Sequence, residues 1–112
     1  MSIYLSQEKD INVSLNPKHG IALEKEKRDA IASAMYKKYL NREIVNSVRS
    51  FAECPVCKEY CTYAVDGKEM MLSNCSIIER REGFNILIPV GLIHVLQRHN
   101  NLVDEVLIEY FS

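Results

Sequence analysis

Cys54 and Cys57, in the tetrapeptide Cys-Pro-Val-Cys, constrain this chain more than any other feature of it. A Cys-x-x-Cys turn holds two thiolates within reach of one tetrahedral ion, and half of such a site demands another half elsewhere in the fold. His94 and His99, spaced His-x4-His, supply the expected completion. They fall at the end of an apolar-periodic segment read as a helix, and residues five apart on an α-helix stand about 140° apart around its axis. Both imidazoles can face one ion only if the last turn distorts, and Asn100-Asn101 provides a natural stop there. Cys61 and Cys75 offer a rival completion, a four-thiolate site with Cys54 and Cys57. The plainer reading of Cys61 is a small buried hydrophobe on the strand face it shares with Tyr63 and Val65. The expected cofactor is a structural Zn2+ held by Cys54, Cys57, His94 and His99, with Cys61 or Cys75 as alternative ligands.

The element order of knuckle, hairpins and a helix with two histidines resembles the two-Cys two-His zinc fingers over residues 54–99. The 36 residues between Cys57 and His94 far exceed the finger's usual gap of about a dozen. The resemblance therefore implies the ligand set without implying a DNA-reading finger. A zinc-ribbon or treble-clef-like site embedded in a larger domain is expected.

With 112 residues, 47% of them hydrophobic, the chain can bury one core, so residues 1–112 are read as a single α+β domain. Residues 1–20 read as a short strand or extended arm, then a loop: Ile11, Val13 and Leu15 alternate, then Pro17 and Gly20 punctuate Asn-Pro-Lys-His-Gly. Residues 21–52 read as helical, with apolar residues from Leu23 to Val48 at three- and four-residue steps and a phase shift near Asn41 that suggests two helices. Residues 53–112 read as the zinc-binding ββ-α portion. Tyr60–Val65 and Lys68–Leu72 flank Asp66-Gly67, a strong hairpin signal, and Ser76–Arg80 turns through Arg81-Glu82-Gly83 into Phe84–Ile88. Pro89 is expected to open a helix running to His99, and Leu102–Phe111 to form a last amphipathic helix. The expected fold is an N-terminal helical segment, a small antiparallel sheet of two hairpins, and C-terminal helices.

Function is less legible. The formal net charge of -1 gives no whole-molecule signal for nucleic acid or membrane. The N-terminus lacks a basic head and a signal-length apolar run, and no stretch approaches a membrane span, so a cytoplasmic location is expected. In a reducing compartment a close Cys pair binds metal or does redox work rather than bridging. A thioredoxin-like dithiol would follow a strand and open a helix, whereas here a helix precedes the pair and hairpins follow. No His-Glu-x-x-His and no Gly-rich phosphate loop is present. The leading expectation is a non-enzymatic, zinc-stabilised binding protein acting on a protein partner, as an accessory subunit, an inhibitor or immunity-type protein, or a mobile-element regulator. Homodimerisation is a further option, through the acidic and apolar faces of the last helix. The alternative is a nucleic-acid-binding regulator using Lys25, Lys27, Arg28, Lys37, Lys38, Arg42 and Arg49, although Glu24, Glu26, Asp29 and Glu43 interleave with them. The third is a thiol- or metal-dependent enzyme. His19 reads as a solvated loop residue.

Overall fold

Residues Lys25–Leu40 form helix α1, whose buried face carries Arg28, Ile31, Ala32, Met35 and Tyr36 at steps of three and four. These details come from a computed structural model, which describes residues 9–15, 17 and 19–111. Of the expected arm and loop, residues 1–8, 16 and 18 lie outside the described residues.

Strand β1, Lys9–Asn12, precedes α1 and pairs in parallel with a later strand. Helix α1 stops where the Asn41 amide donates to the Lys37 carbonyl, at 3.0 Å, and Arg42, at a left-handed φ of 62°, donates its amide to the Tyr39 carbonyl, at 3.1 Å. The second helix expected over residues 42–52 does not form. Ile44–Val45 is instead strand β2, followed by Asn46 at a φ of 57° and an irregular segment. Two adjacent β-branched residues found an open sheet edge, and that pairing outweighed their helical spacing.

A hairpin follows: β3, Thr62–Val65, turns through Asp66 and Gly67 into β4, Lys68–Met71. Both turn residues have positive φ, 51° and 77°, as a two-residue primed turn requires. The second hairpin joins β5, Ser76–Arg81, to β6, Phe84–Pro89, through Glu82 and Gly83.

The two hairpins belong to different sheets, which corrects the single antiparallel sheet expected from sequence. The larger sheet is mixed, in the order β1-β6-β5-β2, with β1 parallel to β6; the β3-β4 ribbon stands apart. Helix α2, Gly91–Arg98, and helix α3, Glu105–Phe111, complete the chain. Pro89 does not open α2; it ends β6 opposite Ser76, a strand-terminal place where its missing N–H costs no ladder bond. The Val90 amide continues the pairing to the carbonyl of Cys75, at 3.0 Å.

The core lies between the mixed sheet, α1 and α2. Ile31, Met35, Leu72, Ile77, Ile86, Ile88, Ile93 and Leu107 are its largest fully buried side chains. Gly91 opens α2 against Cys61: a Cβ there would stand 3.1 Å from its Sγ. Helix and knuckle segment therefore pack so closely that any larger residue at position 91 requires Cys61 to give way by a few tenths of an ångström.

Candidate metal centre

The knuckle is a tight hairpin closed on both sides of Cys-Pro-Val-Cys. Glu53 pairs with Tyr60, the Cys54 amide donates to the Glu59 carbonyl at 2.8 Å, and the Cys61 amide donates to the Ala52 carbonyl at 2.8 Å. Lys58 supplies the left-handed turn residue, with φ 65°, and its amide donates to the Cys54 carbonyl at 2.9 Å. Inside the turn, the Val56 amide points at the Cys54 Sγ, 3.4 Å away.

His94 and His99 approach this turn from α2. His94 sits within the helix, whereas His99 is its C-cap, with φ -125° and ψ 153°. That departure from helical geometry is the distortion the His-x4-His spacing requires, and it swings the second imidazole round to the first. The ring centroids are 5.1 Å apart and the planes 70° to one another. Cys54 Sγ lies 3.4 Å from His99 Nε2, and Cys57 Sγ lies 3.6 Å from His94 Nε2. The ligand atoms of all four residues fall within 4.8 Å of one another, so Cys54, Cys57, His94 and His99 can hold one metal ion. Cys54 and His94 are buried.

Two contacts orient His94. Its Nδ1 lies 2.9 Å from the Thr62 carbonyl and 3.1 Å from the Thr62 amide. With metal on Nε2 the ring proton resides on Nδ1 and donates to that carbonyl, which fixes the tautomer. One turn on, the Gln97 side chain takes the Ala64 amide at 2.8 Å and donates to the Ala64 carbonyl at 2.9 Å. His94 at the Thr62 carbonyl and Gln97 at both Ala64 backbone groups occupy the β3 edge that β4 leaves open, so α2 docks on the ribbon much as a neighbouring strand would. Sequence reasoning missed Gln97 and Thr62. The signal was a lone side-chain amide three residues after His94, following the apolar pair Val95 and Leu96.

Arg28, one of the basic residues expected to line a nucleic acid in the alternative reading, is buried. Its guanidinium donates to the carbonyls of Leu23 and Leu96, both at 3.2 Å, and to that of His99. It thus sits at the negative end of α2 and anchors the backbone of a ligand residue. Lys25 pairs with Asp29, and Lys38 pairs with Glu79 and Glu43. Lys27, Lys37, Arg42 and Arg49 are exposed.

The remaining cysteines divide. Cys61 is fully buried beside the centre, its thiol in hydrogen-bond contact with Cys54; burial, then the neighbouring Cys54 and Cys57 thiols, pushes it up to about 12. Cys75 is buried outside the cluster, and burial raises its thiol as well. His99 is shifted the other way: burial, then His94 and Arg98, lowers it below the usual imidazole range, toward the neutral ring that binds metal. His19 is exposed and also outside the cluster. No helix of the described residues is long and apolar enough to cross a membrane.

The chain matches no protein-family model, no curated protein and no solved structure.

Proposed function

We propose that this chain is a zinc-stapled binding protein without catalytic activity, acting by occupying a protein partner. The observation that carries it is the closed four-donor cluster of Cys54, Cys57, His94 and His99. Zinc bonds of about 2.3 Å to sulfur and about 2.0–2.1 Å to nitrogen, set at the tetrahedral angle, separate S from N by about 3.5–3.6 Å. The two close pairs stand at 3.4 and 3.6 Å. Two thiolates and two imidazoles suit zinc, and four protein donors leave no coordination position for a substrate or a metal-bound water. The ion's role is to hold the knuckle to α2.

Support for a protein partner comes from the surface. Phe51, Tyr60, Val56 and Val48 are exposed around the knuckle, whose backbone the metal would fix. The nucleic-acid reading has less behind it, since Arg28 is buried and Lys25 and Lys38 sit in ion pairs. Native mass spectrometry tests the first half: one zinc per chain, with unfolding on chelation, is expected. A folded protein of apo mass would sink the proposal. The second half is tested by recovering the intact zinc-loaded chain from its native host. A partner that resists nuclease treatment is expected, and recovery of nucleic acid alone refutes it.

A further inference from the structure

The segment that carries Cys54 is two-faced. Along residues 51–54 exposure alternates, with Phe51 and Glu53 outward and Ala52 and Cys54 inward; across the pairing, Tyr60 is exposed and Cys61 buried. The inward face is accounted for by core and metal. The outward face carries two large aromatic rings where a strand open to water ordinarily shows polar side chains. Phe51 is 47% exposed and Tyr60 54%, and their rings meet edge to face at 6.0 Å and 67°.

Glu53 and Tyr60 line two adjoining concavities, of about 590 and about 640 Å³. The first also takes in Glu59, Glu69, Lys58 and Arg98. Arg98 is committed to Glu69 by an ion pair. Among the described residues neither Glu53 nor Glu59 has an ion-pair partner. The opposing cations are Lys58 beside the first concavity and Arg49 beside the second. Two uncommitted carboxylates flanking an exposed aromatic pair form a receptor for a cation on a long stem: ring faces attract the charge, and a carboxylate completes it.

We propose that this face binds the partner protein through a segment bearing Arg or Lys side chains, seated on Phe51 and Tyr60 and paired with Glu53 and Glu59. The inference rests on the protein-binding reading above and names the chemistry of the partner. It also gives the metal a role in recognition, because Thr62 and His94 line the first concavity. Metal on His94 fixes the wall against which the partner's side chain packs.

The test uses the full chain, zinc-loaded and 15N-labelled, titrated with a Gly-Arg decapeptide and with a Gly-Glu decapeptide of equal length. Saturable amide shifts centred on residues 51–53 and 59–62 are expected with the first peptide and not with the second. Phe51→Ala with Tyr60→Ala, and separately Glu53→Gln with Glu59→Gln, each weaken binding about fivefold or more. The carboxylate pair also flattens its salt dependence. The four side chains are exposed and none of them supplies a donor atom to the Cys/His cluster, so zinc content should be unchanged. Shifts centred on another face, equal response to both peptides, or affinity indifferent to the substitutions overturns the proposal. A host protein bound equally well by wild type and all four substitutions overturns this surface and leaves the protein-binding reading standing.

Discussion

Replacing Arg28 by Met keeps most of the buried stem and removes the guanidinium, leaving the carbonyls of Leu23, Leu96 and His99 without their donor. The Leu96 contact is fully buried and the other two partly so. A buried acceptor left unsatisfied costs about 1–3 kcal/mol, and a net hydrogen bond nearer solvent about 0.5–1.5 kcal/mol. Loss of a cation at a helix C-terminus adds about 0.3–1 kcal/mol. Against this, the variant no longer has to bury a charge. A net loss of about 2–4 kcal/mol follows, a large part of the roughly 5–15 kcal/mol by which a domain is stable. At about 4–8 °C per kcal/mol for a chain of this size class, the melting temperature of the metal-saturated protein falls by about 10–25 °C. Because one of those carbonyls belongs to His99, metal affinity should fall too, about 10- to 100-fold in chelator competition. Arg28→Lys is the sharper comparison: it keeps the charge but not the fork, and should recover half of the lost stability at most. The reasoning is refuted if Arg28→Met melts within about 2 °C of wild type and holds its metal equally well.

Other outcomes follow from single contacts. Gly91→Ala places a Cβ 3.1 Å from the Cys61 Sγ, and overpacking should cost about 1–3 kcal/mol in urea unfolding. Adding Cys61→Ala should return much of it, and strict additivity of the two changes would show that the crowding is elsewhere. Gln97→Leu removes both bonds to Ala64; faster hydrogen exchange of the Ala64 amide and a loss of about 1–3 kcal/mol are expected. Burial alone would lower Lys38, but its bonds to Glu79 and Glu43 outweigh burial and leave it raised above 10.5. Since the folded state favours the protonated form, that contribution is fully present below about 10.5 and is lost as pH rises through the raised value. The stability gap between wild type and Lys38→Met, about 1 kcal/mol at pH 9, should close in strong alkali. A gap that is constant with pH would remove the ion pairs from the account.

The parts of the fold that could be read from residues were those fixed by local chemistry. Asp66-Gly67 dictates its hairpin because few other pairs tolerate two positive φ angles. The grouping of Cys54, Cys57, His94 and His99 was legible because the spacing of His94 and His99 carries its own requirement, a broken last turn, and His99 meets it. What was not legible depended on distant partners. Ile44 and Val45 satisfy a helical period as readily as a strand, and only the free edge of β5 decides between them. Nothing in Lys9–Asn12 announces a parallel partner 75 residues away at Phe84–Leu87. Arg28 looks like any surface cation in a basic helix, since its burial is produced by α2 arriving over it. Pro89 carries the same local signal at the end of a strand as at the start of a helix.

The two halves of the metal centre are separated by 36 residues that contain both hairpins of the fold. Each hairpin can form from its own neighbours, whereas the centre closes only when α2 reaches the knuckle. With the proposed zinc in that cluster, metal capture would be a late event in maturation, drawing on whatever zinc the surroundings supply at that moment. A chain made under zinc scarcity would keep its hairpins but leave α2 unfastened, exposing apolar surface to proteases and chaperones. Zinc supply would then set how many copies survive to meet a partner, with no change in synthesis.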